Sequence, residues 1–389
     1  MKKTKISLLL CILLMIGVIL PLVLADVPLT TRYDEVGNYG MAEAGVGLKE
    51  SASGDITIDF PGTVVVAYLY WACIDVNSGG DNTIDFDGAP VTADYSYGPD
   101  FWYDDYYHFV YVKDVTTLVT APGMYTVTGM EDVFYRYGAG LVVVYEDPSL
   151  STNRIVLLDG LDSFWFGWTD PLGPNSEVAR VTFTSESTDQ HVDAFLFVGG
   201  TEHDDRPNEI WTATGTGTPS TDIITSPTSP GGPYSLIAAD GASWDTYDET
   251  VTVPAGDEWI GVQVESIVSW ETEGDPDLNG RGDSALLLTA GFVLPVEEKL
   301  DGLSPGFWKH NVRVALDYPG GYSVPHEGEA RINYDTIVAL AEVATGETGT
   351  TALNAALAAL TTKGPGGDTV RLVMCNAFNE AAGYTPYSD

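Results

Sequence analysis

Short runs of alternating apolar and polar residues, separated by Gly, Pro, Asn and Asp, fill the chain from Asp26 to about Leu294. "GTVVVAYLYWACIDV" is rich in β-branched and aromatic residues. "HFVYVKDVTTLVTAPGMYTVTG" holds two alternating runs, which Ala-Pro-Gly separates. Such runs indicate short strands, and no helical period of useful length interrupts them. The pattern predicts a mainly β fold, a β-sandwich or jelly roll, over residues 26–298.

One stretch inside this region has little core-forming character. "TATGTGTPSTDIITSPTSPGGPYS" (212–235) is dominated by Thr, Ser, Gly and Pro. It is interpreted either as a link between two sub-sandwiches or as a long surface loop.

The apolar spacing changes beyond residue 298. Ile337, Leu340, Ala341 and Ala344 follow the i, i+3, i+4, i+7 pattern of an amphipathic helix. The same spacing recurs over 353–360 and over 370–381. Residues 299–389 are therefore predicted to form a linker and a small three-helix module.

"SPGFWKHN" (304–311) stands at the entrance to this module. Pro305-Gly306 indicates a turn, after which Phe307 and Trp308 offer large apolar surface to helices with little volume of their own. Trp308 is predicted to pack on one helical face, with Lys309 and His310 in solvent. The residues predicted for that face are Val373, Met374, Ala377 and Phe378.

The first 25 residues have the pattern of a secretory signal peptide. Lys2, Lys3 and Lys5 precede an apolar run that ends at Pro21, and Val23-Leu24-Ala25 suits signal peptidase. We expect a mature protein that begins at Asp26 and is extracellular, with no transmembrane anchor after cleavage. The alternative is an uncleaved segment that tethers the protein to a membrane.

The charge of the chain limits its partners, and its few cysteines argue against a disulfide framework. The chain has 56 acidic and 17 basic residues and a net charge of −39, which disfavours nucleic acid as a partner. Divalent cations, cationic partners and adaptation to a salty medium all remain compatible with such acidity. Cys73 and Cys375, which remain after loss of Cys11, are predicted to be buried apolar residues rather than a disulfide.

Two resemblances rest on particular fragments. "AYLYWACIDV", "YVKDVTTLVTAPGMYTVTG" and "GAGLVVVYEDPSLSTNRIVLLDGL" resemble a domain-of-unknown-function family of archaeal and bacterial secreted surface proteins, over about 40–298. This resemblance implies an extracellular β-rich domain and no catalytic residues. "GFWKHN" and "VMCNAFNEAAG" are similar to a short module of secreted proteins that opens Gly-aromatic-Trp-Lys-x-His, although His310 comes one residue early.

A loop rich in oxygen ligands predicts a calcium site. "GDPDLNGRGDSA" spaces the ligands Asp275, Asp277, Asn279 and Asp283 around Gly280. The closing Glu of an EF-hand is missing, because Leu286 stands at that offset. The alternative is an Asp/Asn/Gly turn between strands. Calcium is the one cofactor that the sequence suggests.

Aromatic residues beside acids predict a glycan contact. "GPDFWYDDYYHFVY" contains Trp102, Tyr103 and Tyr106, and "DSFWFGW" contains Trp165. Aromatic rings stack on the apolar faces of sugars while carboxylates accept hydrogen bonds from hydroxyls. The alternative is a strand whose aromatic residues face the core.

The sequence lacks a Gly-x-Ser-x-Gly motif, a Walker loop and a dinucleotide-binding fingerprint. We therefore predict a non-catalytic, secreted cell-surface or envelope protein with a structural or adhesive role, stabilised by calcium. Its partner would be an envelope component, a glycan or another surface protein, and sheet edges leave self-association open. The alternative is a secreted carbohydrate-binding or carbohydrate-active protein.

Overall fold

A computed structural model describes residues 27–76, 79–131, 133–168, 173–202, 206, 208–219, 236–267, 282–296, 305–317, 334–362 and 367–384. The strands in these ranges are β1 (Val27–Gly37), β2 (Tyr39–Gly47), β3 (Ser53–Ile58), β4 (Thr63–Val76), β5 (Thr83–Phe86), β6 (Ala89–Thr92), β7 (Tyr95–Tyr103), β8 (Tyr106–Asp114), β9 (Gly123–Thr128), β10 (Tyr135–Glu146), β11 (Asn153–Phe164), β12 (Ala179–Thr182), β13 (Gln190–Gly199), β14 (Asn208–Gly215), β15 (Trp244–Val253), β16 (Trp259–Ser266) and β17 (Ala285–Pro295). The helices are α1 (Pro305–Asp317), α2 (Tyr334–Thr345), α3 (Gly349–Thr361) and α4 (Gly367–Ala381).

The strands form four antiparallel sheets. Sheet A has the strand order β1-β11-β17-β13-β15, and sheet B has the order β2-β10-β4-β8-β7. Sheet C has the order β3-β9-β5-β6, and sheet D has the order β12-β16-β14. The predicted mainly β class, with a sandwich region followed by a small helical module, is confirmed.

The sheets stack in the order D, A, B, C, with an apolar core between each pair. One core lies between sheets B and C, a second between sheets A and D, and a third between sheets A and B. Strand β4 contributes to two of them: Leu69, Trp71 and Cys73 face sheet C, whereas Tyr70, Ala72 and Ile74 face sheet A. The central strands of sheets A and B are therefore covered on both faces.

This stacking explains why some strands are continuously apolar. A strand covered on one face alternates apolar and polar residues, whereas a strand covered on both faces needs apolar residues throughout. "AYLYWACI" of β4 and "IVLL" of β11 have this continuous pattern and are buried along most of their length. The outer strand β3 instead alternates exposed and buried residues.

The chain changes from one sandwich to the other after β10. Sheets B and C form the first sandwich from β2 to β10, and sheets A and D form the second from β11 to β17, joined by β1. Of the two interpretations of 212–235, a link between sandwiches is wrong, because β14, which includes residues 212–215, and β15 after the stretch both lie in the second sandwich. Residues 220–235 of that stretch lie outside the described residues.

A buried ion pair fastens β1 to the interface between sheets A and B. The guanidinium of Arg32 donates from Nε to Asp159 Oδ2 at 2.7 Å and from a terminal nitrogen to Oδ1 at 3.2 Å. The hydroxyls of Tyr97 and Tyr70 also donate to this carboxylate, at 2.7 and 3.2 Å. The buried charge of Asp159 is thus matched by a cation and two hydrogen-bond donors.

The helical module has its own core, and it contains one helix more than predicted. The predicted helices are present as α2, α3 and α4, but the turn predicted at Pro305-Gly306 is instead the start of α1. Proline fits the first turn of a helix, since its missing N–H would have no partner there. The tail core includes Trp308, Leu353 and Phe378.

The packing predicted for Trp308 is correct in part. Trp308 is buried, its ring lies 5.0 Å from that of Phe378, and its Nε1 donates to Asn379 Oδ1 at 2.7 Å. Lys309 and His310 are exposed, as predicted. Val373 is 65% exposed, so its predicted place on the packing face is wrong. The core-facing side of α4 is instead centred on Cys375, Phe378 and Asn379.

The chain divides into two compact units, Met1–Val296 and Glu297–Asp389. Cys73 lies in the core of the first and Cys375 in the core of the second, and both are buried, as predicted. Within the described ranges no helix is both long and apolar enough to cross a membrane.

Candidate functional site: a pocket at one end of the stacked sheets

A pocket of about 200 Å³ lies where strand ends of sheets A and B meet. We call it the Trp102 pocket. Its lining residues are Lys49, Ile74, Trp102, Tyr135, Tyr137, Gly200, Glu202, Arg206, Ser243, Asp283 and Ser284. The walls thus combine aromatic rings, two cations and two carboxyl groups.

The β7–β8 hairpin positions the aromatic wall. Tyr103 pairs with Tyr106 across a two-residue turn at Asp104-Asp105, and Asp104 takes a left-handed φ of 56°, which Asp tolerates better than most residues. This turn holds Trp102 at the end of β7. The indole Nε1 of Trp102 donates to Ser284 Oγ at 2.6 Å, which fixes the ring against the residue that precedes β17.

Two other lining residues, Gly200 and Ser243, have unusual backbone conformations. Gly200 has a φ of 87°, and a Cβ there would meet the carbonyl oxygen of Ser284 at 2.9 Å. Ser243 has a φ of 74°, a conformation that costs a non-glycine residue about 1–2 kcal/mol. The N–H of Gly200 donates to the carbonyl of Ser243 at 2.9 Å, so the two conformations support each other.

The charged side chains of the pocket form a connected group. The ammonium of Lys49 donates to Glu202, and Arg206 Nε lies 3.4 Å from the other oxygen of that carboxylate. The same Nε lies 3.8 Å from Asp283 Oδ1. Lys49 Nζ also lies 5.6 Å from the centre of the Tyr135 ring, within the range of a cation–π interaction.

Asp283 forms the buried floor of this group. It is 1% exposed, and its Oδ2 accepts hydrogen bonds from the Glu202 N–H at 3.0 Å and from Asn208 Nδ2 at 2.8 Å. Burial is the largest cause of a shift that raises the pKa of the Asp283 carboxyl well above its usual range.

These contacts bear on the predicted calcium loop. An oxygen that accepts from two N–H groups, beside a guanidinium, is poorly placed to bind a cation, so Asp283 does not fit a calcium ligand. Asp275, Asp277 and Asn279 lie outside the described residues, and their part of the site stays a prediction. No group of three His, Cys, Asp or Glu side chains that could hold a metal occurs among the described residues.

Behind the pocket, a buried chain of hydrogen bonds supports Tyr137. His108 Nε2 lies 2.8 Å from the Tyr137 hydroxyl, and His108 Nδ1 lies 2.6 Å from Ser163 Oγ. Ser163 Oγ donates to Asp100 Oδ2 at 2.6 Å. With the imidazole proton on Nδ1, every donor points toward Asp100, so Tyr137 donates to His108 and its oxygen keeps its acceptor capacity.

The imidazole of His108, at the centre of this hydrogen-bond network, is uncharged. Burial lowers the pKa of His108 to about 3, so its imidazole is uncharged at neutral pH. Burial also raises the pKa of the Tyr137 hydroxyl well above its usual range. The arrangement therefore positions the tyrosine rather than activating it.

The predicted glycan contacts separate into two groups. Trp102 lines the pocket, and Tyr103 stands beside it, 69% exposed, with ring centres 6.1 Å apart. Tyr106 is half-buried and stacks on Phe134 at 4.0 Å, next to the pocket residue Tyr135 in the chain. Trp165 is not a lining residue of this pocket; it packs with Phe166 and Trp168 beyond the end of β11.

Sequence reasoning missed most of the pocket. Lys49 and Glu202 are 153 residues apart, and no local spacing relates them. Asp100 and His108 lie in the aromatic stretch that was singled out, but they form the buried support rather than a contact surface. Trp102 and Asp283 are the two lining residues that the sequence singled out, the first for a glycan contact and the second for calcium.

The fold and the pocket define a protein of stacked antiparallel sheets with an aromatic and charged pocket at one end. Residues 24–203 match the family described as Protein of unknown function (DUF3344). The match spans β1 to β13 and includes Trp102, Tyr137 and Glu202, but not Asp283. The predicted domain of unknown function is thereby confirmed for this part of the chain. No curated protein matches the chain.

Proposed function

We propose that this chain is a secreted, acidic cell-surface protein with an adhesive role, and that it adheres by holding a sugar unit in the Trp102 pocket. The observation that carries this proposal is the fixed indole of Trp102 beside the buried carboxyl of Asp283. An aromatic face covers the apolar side of a sugar ring, and nearby polar groups fix its hydroxyls. The exposed Tyr103 extends the aromatic surface outward.

The scaffold suits a structural role as well. Three apolar cores and the buried Arg32–Asp159 pair tie four sheets into one body, which would hold the pocket rigidly. Rigid elements position a binding site more accurately than loops do. The net charge of −39 favours solubility and would keep non-specific contacts with anionic surfaces weak.

Two features favour binding over catalysis. His108 is neutral and buried, and Tyr137 holds its proton strongly, so neither supplies a base or nucleophile at neutral pH. One observation favours the alternative of a carbohydrate-active protein: the carboxyl groups of Glu202 and Asp283 both approach Arg206. Release of new reducing ends from a bound polysaccharide would establish that alternative.

Fractionation and binding test the proposal together. Native protein should be recovered with the cell envelope or the medium, with the intact mass of a chain that begins at Asp26. It should bind envelope polysaccharide, and Trp102→Ala should lose that binding while keeping its melting temperature within a few degrees. Recovery in the cytoplasm, or undiminished binding by Trp102→Ala, would contradict it. Trp165→Ala, which changes an aromatic residue that does not line the pocket, is the matched control.

A further inference from the structure

A β-bulge at Trp102 places two consecutive aromatic side chains on the same side of β7. Phe101 pairs with Tyr107, and Tyr103 pairs with Tyr106, so Trp102 is an extra residue between the two pairs. Consecutive residues of a regular strand point to opposite faces, but the extra residue of a bulge shifts this alternation. Trp102 and Tyr106 both pack against the core between sheets A and B. Tyr103, as the partner of Tyr106, lies on that same side, and its ring centre is 6.1 Å from that of Trp102.

Further aromatic rings continue this surface to the wall of the Trp102 pocket. Tyr106 stacks on Phe134 with ring centres 4.0 Å apart, and the Phe134 ring lies 4.4 Å from that of Tyr135. Tyr135 lines the pocket, as Trp102 does. We call Tyr103, Tyr106, Phe134 and Tyr135 the aromatic platform. Tyr103 is 69% exposed, Phe134 44% and Tyr135 41%, so three of its rings are accessible to a ligand.

The pocket alone offers limited room. Its volume of about 200 Å³ lies below the range of about 300–1,000 Å³ of pockets that enclose a drug-sized ligand. A ligand of more than one small unit therefore extends beyond the pocket. The aromatic platform is continuous with the pocket wall, so it is a surface that such a ligand meets there.

The charge around the platform disfavours a second copy of the chain or a membrane as its occupant. Asp104 and Asp105 form the exposed turn between Tyr103 and Tyr106, and the whole chain has a net charge of −39. Two such molecules repel each other, and anionic lipid repels both. A glycan fits this surface better, because its hydroxyls donate hydrogen bonds to carboxylates while its apolar faces cover aromatic rings.

We infer that the Trp102 pocket and the aromatic platform together bind a segment of a linear glycan chain rather than a single terminal sugar. The inference rests on the proposed glycan binding and names the class of ligand. One sugar unit would occupy the pocket, and the neighbouring units would stack on the exposed rings of Tyr103 and Phe134. Each such stacking contact should strengthen binding by about two- to tenfold.

Competition for binding to the envelope polysaccharide tests the inference on the full chain. Partial acid hydrolysis of that polysaccharide, followed by size separation, supplies fragments of one, two and three sugar units. We expect three-unit fragments to compete about tenfold or more strongly than one-unit fragments at equal molar concentration, because two further stacking contacts form.

The outcomes separate the inference from the proposed function. Equal competition by one-unit and three-unit fragments would overturn the inference and leave glycan binding intact. Lack of binding to the intact polysaccharide would overturn both. A dimer in sedimentation that Tyr103→Ala dissociates would assign the platform to self-association, and that result would also overturn the inference.

Variants of the platform assign the effect of chain length to its rings. Tyr103→Ala and Phe134→Ala should each reduce the advantage of three-unit fragments, while competition by one-unit fragments stays unchanged, because neither residue lines the pocket. If both variants fold and keep the full advantage, the inference is wrong. Tyr103→Phe, which keeps the ring, should retain the advantage; its loss would show that the hydroxyl is required, which contradicts stacking on the ring.

Phe101→Ala is the matched control on the same strand. Phe101 is 44% exposed, but its partner Tyr107 packs against the core between sheets B and C, on the opposite face of sheet B from the platform. This variant should therefore respond to fragment length like the parent protein. A loss of the advantage in Phe101→Ala equal to that in Tyr103→Ala would show that the platform is not the cause, and would overturn the inference.

Discussion

A single half-buried carboxyl, that of Glu43, illustrates how acidity limits stability at the residue scale. Glu43 on β2 lines a second pocket with Asp193 and Asp248, which lie on two strands of sheet A. Burial, and then repulsion from those two carboxylates, raises the pKa of Glu43 to about 7 from an ordinary 4.5. Folding therefore favours the protonated form of this group.

The sign of the pH effect follows from this shift. A raised folded-state pKa contributes stability below the unfolded pKa of 4.5 and loses it as pH rises through about 7. At pH 8, Glu43→Gln should raise the free energy of unfolding, by at most about 3 kcal/mol, and at pH 4 it should change little. Urea denaturation at both pH values measures this. Glu146→Gln, at an exposed position, is the control, and equal effects of both variants would contradict the assignment.

Trp308 and its neighbour His310 give a second contrast at this scale. Trp308 is fully buried in the tail core, whereas His310 is exposed. Trp308→Ala should destabilise the module by about 3–5 kcal/mol, and it removes the hydrogen bond that Nε1 donates to Asn379 Oδ1. His310→Ala should change stability by less than about 0.5 kcal/mol. Thermal unfolding followed by helical circular dichroism checks both; a tolerant Trp308 would mean that it does not hold the module together.

At the scale of elements, two ion pairs join β1 to β11, and they differ in how deeply they are buried. Arg32 and Arg154 each join β1 to β11 through an aspartate, but Asp159 is buried, whereas Asp34 is 38% exposed. Arg32→Ala should cost about 3–5 kcal/mol, because it leaves a buried carboxylate without its cation. Arg154→Ala should cost about 1 kcal/mol or less. Urea midpoints of the two variants measure the difference, and equal costs would show that burial of the pair is not decisive.

The acidic loop after β16 carries the calcium prediction. Millimolar calcium should raise the melting temperature, since binding to the folded state alone stabilises it, and magnesium should raise it less. Asp277→Ala should lose this gain. Asp59→Ala, at an exposed position on another loop, should keep it. If calcium still raises the melting temperature of Asp277→Ala, the ion binds elsewhere. If calcium does not raise the melting temperature of the parent protein, the calcium prediction is wrong.

Strands were predictable at this scale, but their partners were not. Alternating and continuous apolar runs identify strands because side chains point to opposite faces every second residue. The assignment of β1 to sheet A, with β2 in sheet B, depends on long-range packing and has no local pattern. Helix α1 was missed because Pro305-Gly306 suits a turn and a first helical turn equally well. The pocket escaped prediction because strand ends distant in sequence build it.

At the scale of the whole molecule, the sheet region and the helical tail have separate apolar cores. The three cores of the sheet region are made of residues before 296, and the tail core is made of residues after 306. A unit with its own core can fold alone. We therefore predict that residues 26–298 and residues 299–389 are independent folding units.

Expression of the two parts tests this prediction. Residues 26–298 alone should give a β-type circular dichroism spectrum and one cooperative melt, because the four stacked sheets keep all their neighbours. Residues 299–389 should be helical and less stable, since a domain of this size buries a smaller fraction of its surface. The full chain should then melt as the sum of the two. If removal of the tail leaves the sheet region unfolded, or lowers its midpoint sharply, the two parts depend on each other and the boundary is misplaced.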